Sequence, residues 1–214
     1  MKYKAIIFDL DGTLTNTLTD LTASTNFALR YMGWSERTME EVRHFVGNGV
    51  RRLMEQAVPE NTSASDFEEC FKAFQEHYVA HCQDNTDLYP GVRVMLEALK
   101  EKGYKLAIVS NKLQAGVTQL QKIFFKDLID VAIGERKGVR RKPCPDMVEL
   151  AMQELGVTAD EAVYIGDSEV DIATARNSGL PCITVLWGFR ERDYLQAAGA
   201  SCMVESPAEI LELV

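Results

Sequence analysis

Two aspartates, Asp9 and Asp11, stand near the start of the chain, directly after an apolar run at residues 5–8. An uninterrupted run of this length is typical of a strand buried on both faces of a parallel sheet, so we expect Asp9 at the end of that strand. Ligands bind at this edge of open α/β sheets. Two carboxylates aimed at one point repel each other unless a cation lies between them. The predicted ion is Mg²⁺, a hard cation that prefers oxygen ligands.

The chemistry open to this pair is nucleophilic attack and proton transfer. A carboxylate can attack phosphorus to give an aspartyl-phosphate, and a second carboxyl group can protonate the leaving oxygen and then activate water. From this stretch alone, a turn-forming role for both aspartates is the alternative. A calcium loop is excluded, because its glycine occupies the sixth position of the pattern, whereas Gly12 is the fourth residue counted from Asp9.

A second predicted strand, residues 105–109, ends at Ser110 and Asn111. A short hydroxyl donor held at a strand end can bind a transferring phosphoryl oxygen, although a serine there is also a frequent helix N-cap. Lys142 precedes a turn held by proline. Its compact ammonium suits phosphate and would also balance the acidic groups.

A further predicted strand within residues 157–166 leads to Asp167 and Asp171. If a helix begins near Ser168, these aspartates face the same side of its first turn, where the helix dipole tolerates negative charge. We predict Asp167 as the third metal ligand and Asp171 as the group that orients Lys142 or a metal-bound water. The alternative is an aspartate N-cap followed by an acidic first turn.

The region of residues 16–82 lacks strand-like patterns. Apolar positions recur there at helical spacing, which predicts helices over residues 18–32, 49–57 and 67–82. The remainder, residues 1–15 and 83–214, alternates predicted strands and helices, as expected for a doubly wound parallel sheet. We therefore predict an α/β core domain interrupted by an all-helical cap domain.

Within this predicted cap, Gly47, Asn48 and Gly49 precede a predicted helix, and Arg51 follows in its first turn. Glycines before a helix permit close backbone approach and leave amide groups available for an anion. These residues are predicted to form a substrate-specificity loop that closes over the reaction centre. The alternative is an ordinary helix start with solvated arginines.

The composition is that of a globular protein of 214 residues with a net charge of −9. This charge argues against nucleic acid or an anionic membrane surface as the main partner, but a local site can still hold a small anion. Five cysteines without a Cys-x-x-Cys pair indicate a reducing compartment. We find no secretory pattern or apolar run of membrane-spanning length, so a cytoplasmic location is expected. A monomer or a homodimer is also expected.

The segment Asp9-Leu10-Asp11-Gly12-Thr13 resembles the first signature of the haloacid dehalogenase-like phosphohydrolase superfamily. Ser110, the Lys142-Pro143 pair and the Asp167 to Asp171 segment resemble its second, third and fourth signatures, in that order. The resemblance implies Mg²⁺-dependent phosphoryl transfer, with Asp9 as nucleophile and Asp11 as acid and base. The implied metal ligands are Asp9, the backbone carbonyl of Asp11, and Asp167. The implied contacts to phosphoryl oxygens are made by Thr13, Ser110, Asn111 and Lys142.

Within that superfamily, the helical cap with its Gly47-Asn48-Gly49 segment and the Trp187-Gly188-Phe189-Arg190 segment look most like the phosphoglycolate phosphatases. One departure is Asn16-Thr17, where those relatives usually have Asp-Ser. The implied substrate is a small phosphorylated metabolite such as 2-phosphoglycolate. A phosphosugar mutase similar to beta-phosphoglucomutase, a pyrophosphatase, and a non-catalytic regulator that binds phosphate are the alternatives.

Overall fold

The computed structural model describes residues 2–214. In it the chain forms two compact units. The α/β unit comprises Met1–Thr15 and Leu88–Val214, and the helical unit comprises Asn16–Asp87. The chain thus returns to the α/β unit after Asp87, later than the expected position at residue 82. Residues 83–87 stay with the helical unit because Asn85 and Thr86 are hydrogen-bonded to Asp20, on the first helix of that unit.

Residues 2–214 form eight strands. In chain order these are β1 Ala5–Phe8, β2 Thr15–Asn16, β3 Asp87–Leu88, β4 Lys105–Leu113, β5 Val131–Glu135, β6 Ala162–Gly166, β7 Cys182–Val185 and β8 Met203–Val204. Six of them form one parallel sheet in the order β5-β4-β1-β6-β7-β8, and β2 pairs with β3. The predicted α/β class with a doubly wound parallel sheet is confirmed.

Ten helices accompany these strands. They are α1 Leu18–Tyr31, α2 Met39–Phe45, α3 Gly49–Ala57, α4 Ala64–His81, α5 Val92–Glu101, α6 Gln114–Phe124, α7 Asp146–Leu155, α8 Glu169–Asn177, α9 Arg192–Ala197 and α10 Pro207–Leu213. No helix among residues 2–214 is both long and apolar enough to cross a membrane.

The parallel register brings the ends of three strands to one edge of the sheet. Phe8, the last residue of β1, pairs with Ile108 on β4 and with Ile165 on β6. The chain continues from β1 to β4 on one side and later to β6 on the other, so a topological switch point lies beside β1. One edge of the sheet therefore holds the residues that follow β1 and β6 and the residues of β4 that follow Ile108.

Two predicted strand boundaries were wrong. β4 does not end at Val109, because its pairing with β5 resumes at Leu113 after a register irregularity between these two residues. Ser110 and Asn111 consequently lie inside the strand. The strand predicted within residues 157–166 begins only at Ala162, since the preceding three residues form a short 3-10 helix.

Both faces of the sheet are buried, as the apolar run in β1 predicts. Ile6 and Phe8 belong to an apolar cluster shared with helices α5, α6 and α10. Ala5 and Ile7 belong to a second cluster, on the opposite face, shared with α7 and α8. Successive residues of β1 thus contact helices on opposite sides, which holds the strand rigidly at the centre of the unit.

In the helical unit, α1 packs mainly against α4. The buried Asp20 carboxylate on α1 accepts hydrogen bonds from the backbone N–H groups of Asn85 and Thr86 and from both of their side chains, the one from Thr86 Oγ1 being 2.8 Å long. Helix α2, which we did not predict, begins with a capping box between Thr38 and Glu41.

Candidate active site

Asp9 directly follows β1, at the carboxyl edge of the central part of the sheet. Its backbone N–H donates to the Ile165 carbonyl at 2.8 Å, which ties it to β6. Its carboxylate oxygen Oδ1 accepts a hydrogen bond of 2.7 Å from the Leu10 N–H and lies 2.9 Å from Lys142 Nζ. Only 8% of Asp9 is exposed. This carboxylate is therefore held in place through one of its two oxygens.

Two more carboxylates lie close to Asp9. Asp167 follows β6, and Asp171 lies in the first turn of α8. One carboxylate oxygen from each of the three aspartates lies within 4.8 Å of the others, and all three residues are buried. The structure thus brings together acidic residues that are far apart in the sequence.

Two glycines leave room for the Asp167 side chain. A Cβ atom on Gly12, whose φ is +90°, would lie 2.4 Å from Asp167 Oδ2, and a Cβ atom on Gly188 would lie 2.3 Å from Asp167 Cβ. Asp167 Oδ1 accepts a hydrogen bond from Thr13 Oγ1 at 3.1 Å, and its Oδ2 accepts one from the Phe189 N–H at 2.8 Å. A side chain at either glycine would therefore displace a carboxylate that two donors hold in place.

Lys142 lies between Asp9 and Asp171. Its Nζ is 2.9 Å from Asp9 Oδ1 and 2.8 Å from Asp171 Oδ1, and it donates to the Tyr164 hydroxyl at 3.1 Å. Asp171 Oδ2 accepts hydrogen bonds from the Ser168 N–H and from its hydroxyl, at 3.1 Å and 2.6 Å. The start of α8 therefore fixes Asp171, and Asp171 in turn fixes the ammonium against Asp9.

Burial opposes negative charge in this cluster. Burial raises the pKa of Asp9 well above its usual range, although the Lys142 ammonium partly offsets the rise. Burial, together with the Asp171 carboxylate, raises the pKa of Asp167 to about 7. For Lys142, burial alone would lower the pKa, but the Asp171 and Asp9 carboxylates outweigh this effect and raise it. The ammonium is therefore charged at neutral pH, and a single positive charge does not balance the three carboxylates.

The donor set fits a hard divalent cation. Carboxylate oxygens are the ligands that Mg²⁺ prefers, and a bound cation would favour the ionised forms of Asp9 and Asp167, whose pKa values burial raises. The Asp11 carboxylate lies outside this group, because its Oδ1 is 3.1 Å from Lys112 Nζ. A metal contact through the Asp11 backbone carbonyl stays a prediction.

The predicted phosphate-binding residues of β4 are buried, and one of them contacts the backbone of Lys142. The Lys112 N–H donates to Ser110 Oγ at 3.2 Å, and Asn111 Nδ2 donates to the backbone carbonyl of Lys142 at 3.1 Å. Asn111 thus holds the backbone of the residue that carries the ammonium. A role for Ser110 and Asn111 in binding phosphoryl oxygens stays a prediction.

Sequence reasoning missed two residues that touch the predicted site residues. Tyr164, predicted only as part of a strand, lies with its hydroxyl 3.0 Å from Asp171 Oδ1. A tyrosine within an otherwise aliphatic buried strand was an available signal, because its hydroxyl requires a partner. Lys112 pairs with Asp11. The available signal was its position two residues beyond Ser110, because alternate residues of an extended strand point to the same face.

The remaining candidates, Gly47, Asn48 and Arg51, belong to the helical unit. Gly47 has a φ of +123°, and Asn48 is the N-cap residue of α3 without a capping hydrogen bond from its side chain. Arg51 forms an ion pair with Glu68 on α4, and its guanidinium lies 5.0 Å from the Phe67 ring centroid. Arg51 therefore holds α3 against α4. Substrate contacts by these three residues stay predictions.

The parallel sheet, with buried aspartates and a buried lysine at its carboxyl edge, defines an α/β enzyme whose active site is rich in carboxylates. A family model described as haloacid dehalogenase-like hydrolase matches residues 6–185. The chain therefore belongs to the haloacid dehalogenase-like hydrolase family.

Curated relatives agree with this membership. The chain is 33% identical, over 98% of its length and 95% of the relative's, to a phosphoglycolate phosphatase of Xanthomonas campestris pv. campestris. It is 32% identical to a phosphoglycolate phosphatase of Aquifex aeolicus, with 87% of this chain and 86% of the relative covered.

A solved structure from Lactobacillus delbrueckii subsp. bulgaricus, of a protein assigned as a phosphoglycolate phosphatase, is also similar. It superimposes with a TM-score of 0.95 at 38% identity, covering 100% of this chain and 98% of that one. The predicted family and the predicted enzyme class, a phosphatase, are confirmed by these similarities.

Proposed function

We propose that this phosphatase is a Mg²⁺-dependent hydrolase of small phosphomonoesters that acts through an aspartyl-phosphate on Asp9. The observation that carries the proposal is the buried carboxylate of Asp9, held at the edge of the sheet next to Lys142, Asp167 and Asp171. Relatives named as phosphoglycolate phosphatases support 2-phosphoglycolate as the substrate.

In this proposal Asp9 is the nucleophile. Its Oδ1 is bound by Lys142 Nζ and by the Leu10 N–H, so Oδ2 is the oxygen that attacks phosphorus. The new Oδ2–P bond forms as the bond from phosphorus to the leaving oxygen breaks. The Lys142 ammonium remains beside Asp9 throughout and stabilises negative charge on the transferring group.

Asp11 is the proposed acid and base. It protonates the leaving alcohol oxygen in the first step and removes a proton from the attacking water in the second. In that second step the water oxygen bonds to phosphorus as the bond between phosphorus and Asp9 Oδ2 breaks, which releases inorganic phosphate and restores the Asp9 carboxylate. The contact between the Asp11 carboxylate and Lys112 Nζ, 3.1 Å long, holds this side chain in place. In this proposal Lys112 therefore positions Asp11.

The metal would be held by Asp9 and Asp167 together with the Asp11 backbone carbonyl, as the family resemblance implies. When bound, Mg²⁺ would neutralise charge on the phosphoryl oxygens and relieve repulsion among the aspartates. The Ser110 hydroxyl and the second hydrogen of Asn111 Nδ2 would donate hydrogen bonds to the phosphoryl group, and the Thr13 hydroxyl would do so after turning from Asp167 Oδ1. Asp171 does not contact substrate in this scheme, since its contacts are to Lys142, Tyr164 and Ser168.

The first experiment replaces the nucleophile. Asp9→Asn keeps the shape of the side chain but removes its charge, and we expect phosphomonoester turnover to fall by about a thousandfold or more. Asp127→Asn, at an exposed position, is the matched control and should retain full turnover. When the reaction is quenched with acid during turnover, the wild-type enzyme should carry one covalently bound phosphoryl group per chain. The Asp9→Asn variant should carry none. Unchanged turnover in Asp9→Asn would exclude the proposed roles.

The second experiment addresses substrate and reaction type. Specificity constants measured with Mg²⁺ over a panel of phosphate esters should be highest for 2-phosphoglycolate among two-carbon and three-carbon acids. With a hexose 1-phosphate, release of free phosphate supports hydrolysis, whereas formation of the hexose 6-phosphate would identify a mutase. Release of two phosphates from pyrophosphate at a higher specificity constant would identify a pyrophosphatase.

A further inference from the structure

Tyr164 is the one aromatic residue of β6, and its hydroxyl reaches the buried charges of the candidate active site. The residue is fully buried and pairs in register with Ile7 of β1. A buried hydroxyl requires hydrogen-bond partners from the protein. It lies 3.1 Å from Lys142 Nζ, 3.0 Å from Asp171 Oδ1 and 3.5 Å from the Val109 carbonyl oxygen. Tyr164 thus connects a central strand of the sheet to the buried ammonium.

The direction of each of these hydrogen bonds follows from the groups involved. Burial, together with the Asp171 and Asp9 carboxylates, raises the pKa of Tyr164 well above its usual range, so the hydroxyl keeps its proton at neutral pH. An ammonium can only donate and a carboxylate can only accept. The Tyr164 hydroxyl therefore accepts a hydrogen from Lys142 and donates its own to Asp171 Oδ1, the nearer of its two acceptors.

Acceptors of the protein account for all three hydrogens of the Lys142 ammonium. Its Nζ lies 2.9 Å from Asp9 Oδ1, 2.8 Å from Asp171 Oδ1 and 3.1 Å from the Tyr164 hydroxyl. Because an ammonium has only three hydrogens, these contacts determine both its place and its orientation. While they persist, Lys142 acts on a transferring phosphoryl group as a nearby charge.

The contact with Tyr164 matters because Lys142 lies in a turn, outside the strands and helices. The backbone of that turn is held by Asn111, whose Nδ2 donates to the Lys142 carbonyl at 3.1 Å. The far end of the side chain is held by a residue of β6, which is a central strand of the sheet. Groups of an active site are positioned most accurately when strands or helices support them.

We propose that Tyr164 is a positioning residue for the phosphoryl transfer, an inference that rests on the proposed function. By occupying one hydrogen of the Lys142 ammonium, it holds that group against Asp9 Oδ1 and leaves Oδ2 free to attack phosphorus. Without the hydroxyl, the ammonium would keep two partners and shift relative to Asp9. A displacement of about 1 Å in a reacting group can slow a reaction by about a hundredfold.

The first test compares Tyr164→Phe with Tyr104→Phe. Tyr104 is buried in the same unit but belongs to the other apolar cluster of the sheet, so its variant is the matched control. Excess enzyme with Mg²⁺ is mixed with p-nitrophenyl phosphate and quenched in acid, which gives the rate constant for forming the aspartyl-phosphate. Circular dichroism verifies that each variant is folded.

We expect the rate constant at saturation to fall at least about tenfold in Tyr164→Phe, because the nucleophile is less well placed. The half-saturating substrate concentration of this step should stay unchanged, because Tyr164 does not touch substrate. Tyr104→Phe should match the wild type in both quantities. Equal rate constants in Tyr164→Phe and the wild type would reduce the Tyr164 hydroxyl to a structural role and overturn the proposal.

The second test does not depend on activity. In metal-free protein, the ¹H–¹⁵N signal of the Lys142 ammonium is identified by its absence from Lys142→Arg, which keeps the positive charge. We expect this signal to exchange slowly with water in the wild type and in Tyr104→Phe, and to shift and exchange faster in Tyr164→Phe.

An unchanged signal in Tyr164→Phe, or exchange in the wild type as fast as that of exposed lysines, would overturn the role of Tyr164. Full turnover in Asp9→Asn would instead refute the proposed function. The ammonium signal would still show whether Tyr164 holds Lys142, so the two failures are distinguishable.

Discussion

One ion pair in each unit illustrates how differently burial affects charged side chains. In the α/β unit, the Lys142 and Asp171 side chains form an ion pair at 2% and 0% exposure. In the helical unit, the Arg51 and Glu68 side chains form an ion pair at 45% and 58% exposure. Removing one partner of a buried ion pair lowers the stability of the protein strongly, because the other charge is left buried without a partner. An exposed ion pair is screened by water and salt and contributes little. Of these two ion pairs, only the one in the α/β unit is shielded from water, and it belongs to the candidate active site.

The units also differ in the atoms they offer to a cation. The α/β unit offers carboxylate oxygens from Asp9, Asp167 and Asp171, which suit a hard ion. Among residues 2–214, the helical unit contains no group of three histidine, cysteine, aspartate or glutamate ligand atoms within 4.8 Å of one another. The following variants test how far this division between the units holds, beginning with the largest expected effect.

Removing the buried ammonium should have the largest effect. Lys142→Met leaves the Asp9 and Asp171 carboxylates buried without their cation, and we expect the free energy of unfolding to fall by about 3–5 kcal/mol. Urea denaturation of the metal-free protein at neutral pH measures this change. Phosphatase activity should be lost as well. A decrease below about 1 kcal/mol would mean that the cluster is better solvated than its burial indicates.

The second prediction concerns pH. Because the pKa of Asp167 in the folded protein, about 7, lies above the unfolded value of 3.8, the folded state holds the proton more tightly. The metal-free protein should therefore lose stability as the pH rises from about 4 to 7. Above about pH 7, Asp167 should cause little further change in the free energy of unfolding. At about pH 8, Asp167→Asn should raise the free energy of unfolding, by about 4 kcal/mol before losses in hydrogen bonding.

Denaturant titrations of metal-free wild type and Asp167→Asn at several pH values measure this difference. Adding Mg²⁺ should stabilise the wild type at high pH and have much less effect on the variant. An Asp167→Asn protein that is less stable than the wild type at every pH would show that the carboxylate is compensated without a metal.

A buried carboxylate of the helical unit should have the next largest effect. Asp20 accepts hydrogen bonds from Asn85 and Thr86, and an asparagine would turn its amide group toward these donors. We expect Asp20→Asn to lower the free energy of unfolding by about 2 kcal/mol. Asp66→Asn, at an exposed position on α4, is the control and should change little. Equal stability of the two variants would contradict a structural role for Asp20.

The smallest effect is expected for the exposed ion pair between Arg51 and Glu68. Glu68→Gln should leave the free energy of unfolding unchanged within measurement error, because both side chains are well solvated. The same denaturation assay used for Lys142→Met gives the direct comparison. A loss as large as that of Lys142→Met would abolish the contrast between the units.

Much of the α/β unit was predictable from sequence because each strand is a short apolar run followed by a polar residue. Asp9, Asp167 and Asp171 were placed at one edge by this logic, and the structure brings them together. The contact between Asp11 and Lys112 was not predicted. It depends on β4 continuing beyond Val109 through an irregularity, and such a feature leaves no periodic pattern in the sequence.

Helix α2 shows a different limit of sequence reasoning. Met39–Phe45 is only seven residues long and buries only Val42, so its apolar periodicity is too short to recognise. Its start was nevertheless encoded, since Thr38 and Glu41 have the spacing of a capping box. The packing of Asp20 against residues 85 and 86 could not be inferred, because it joins positions separated by the whole helical unit.

The pairing of β2 with β3 means that the polypeptide enters and leaves the helical unit through adjacent strands. A module with neighbouring entry and exit points can be exchanged for another of different size while the host strands keep their order. Grafting a foreign helical segment between Asn16 and Asp87 would therefore keep both strands of this pair and leave the acidic residues at the edge of the parallel sheet unchanged.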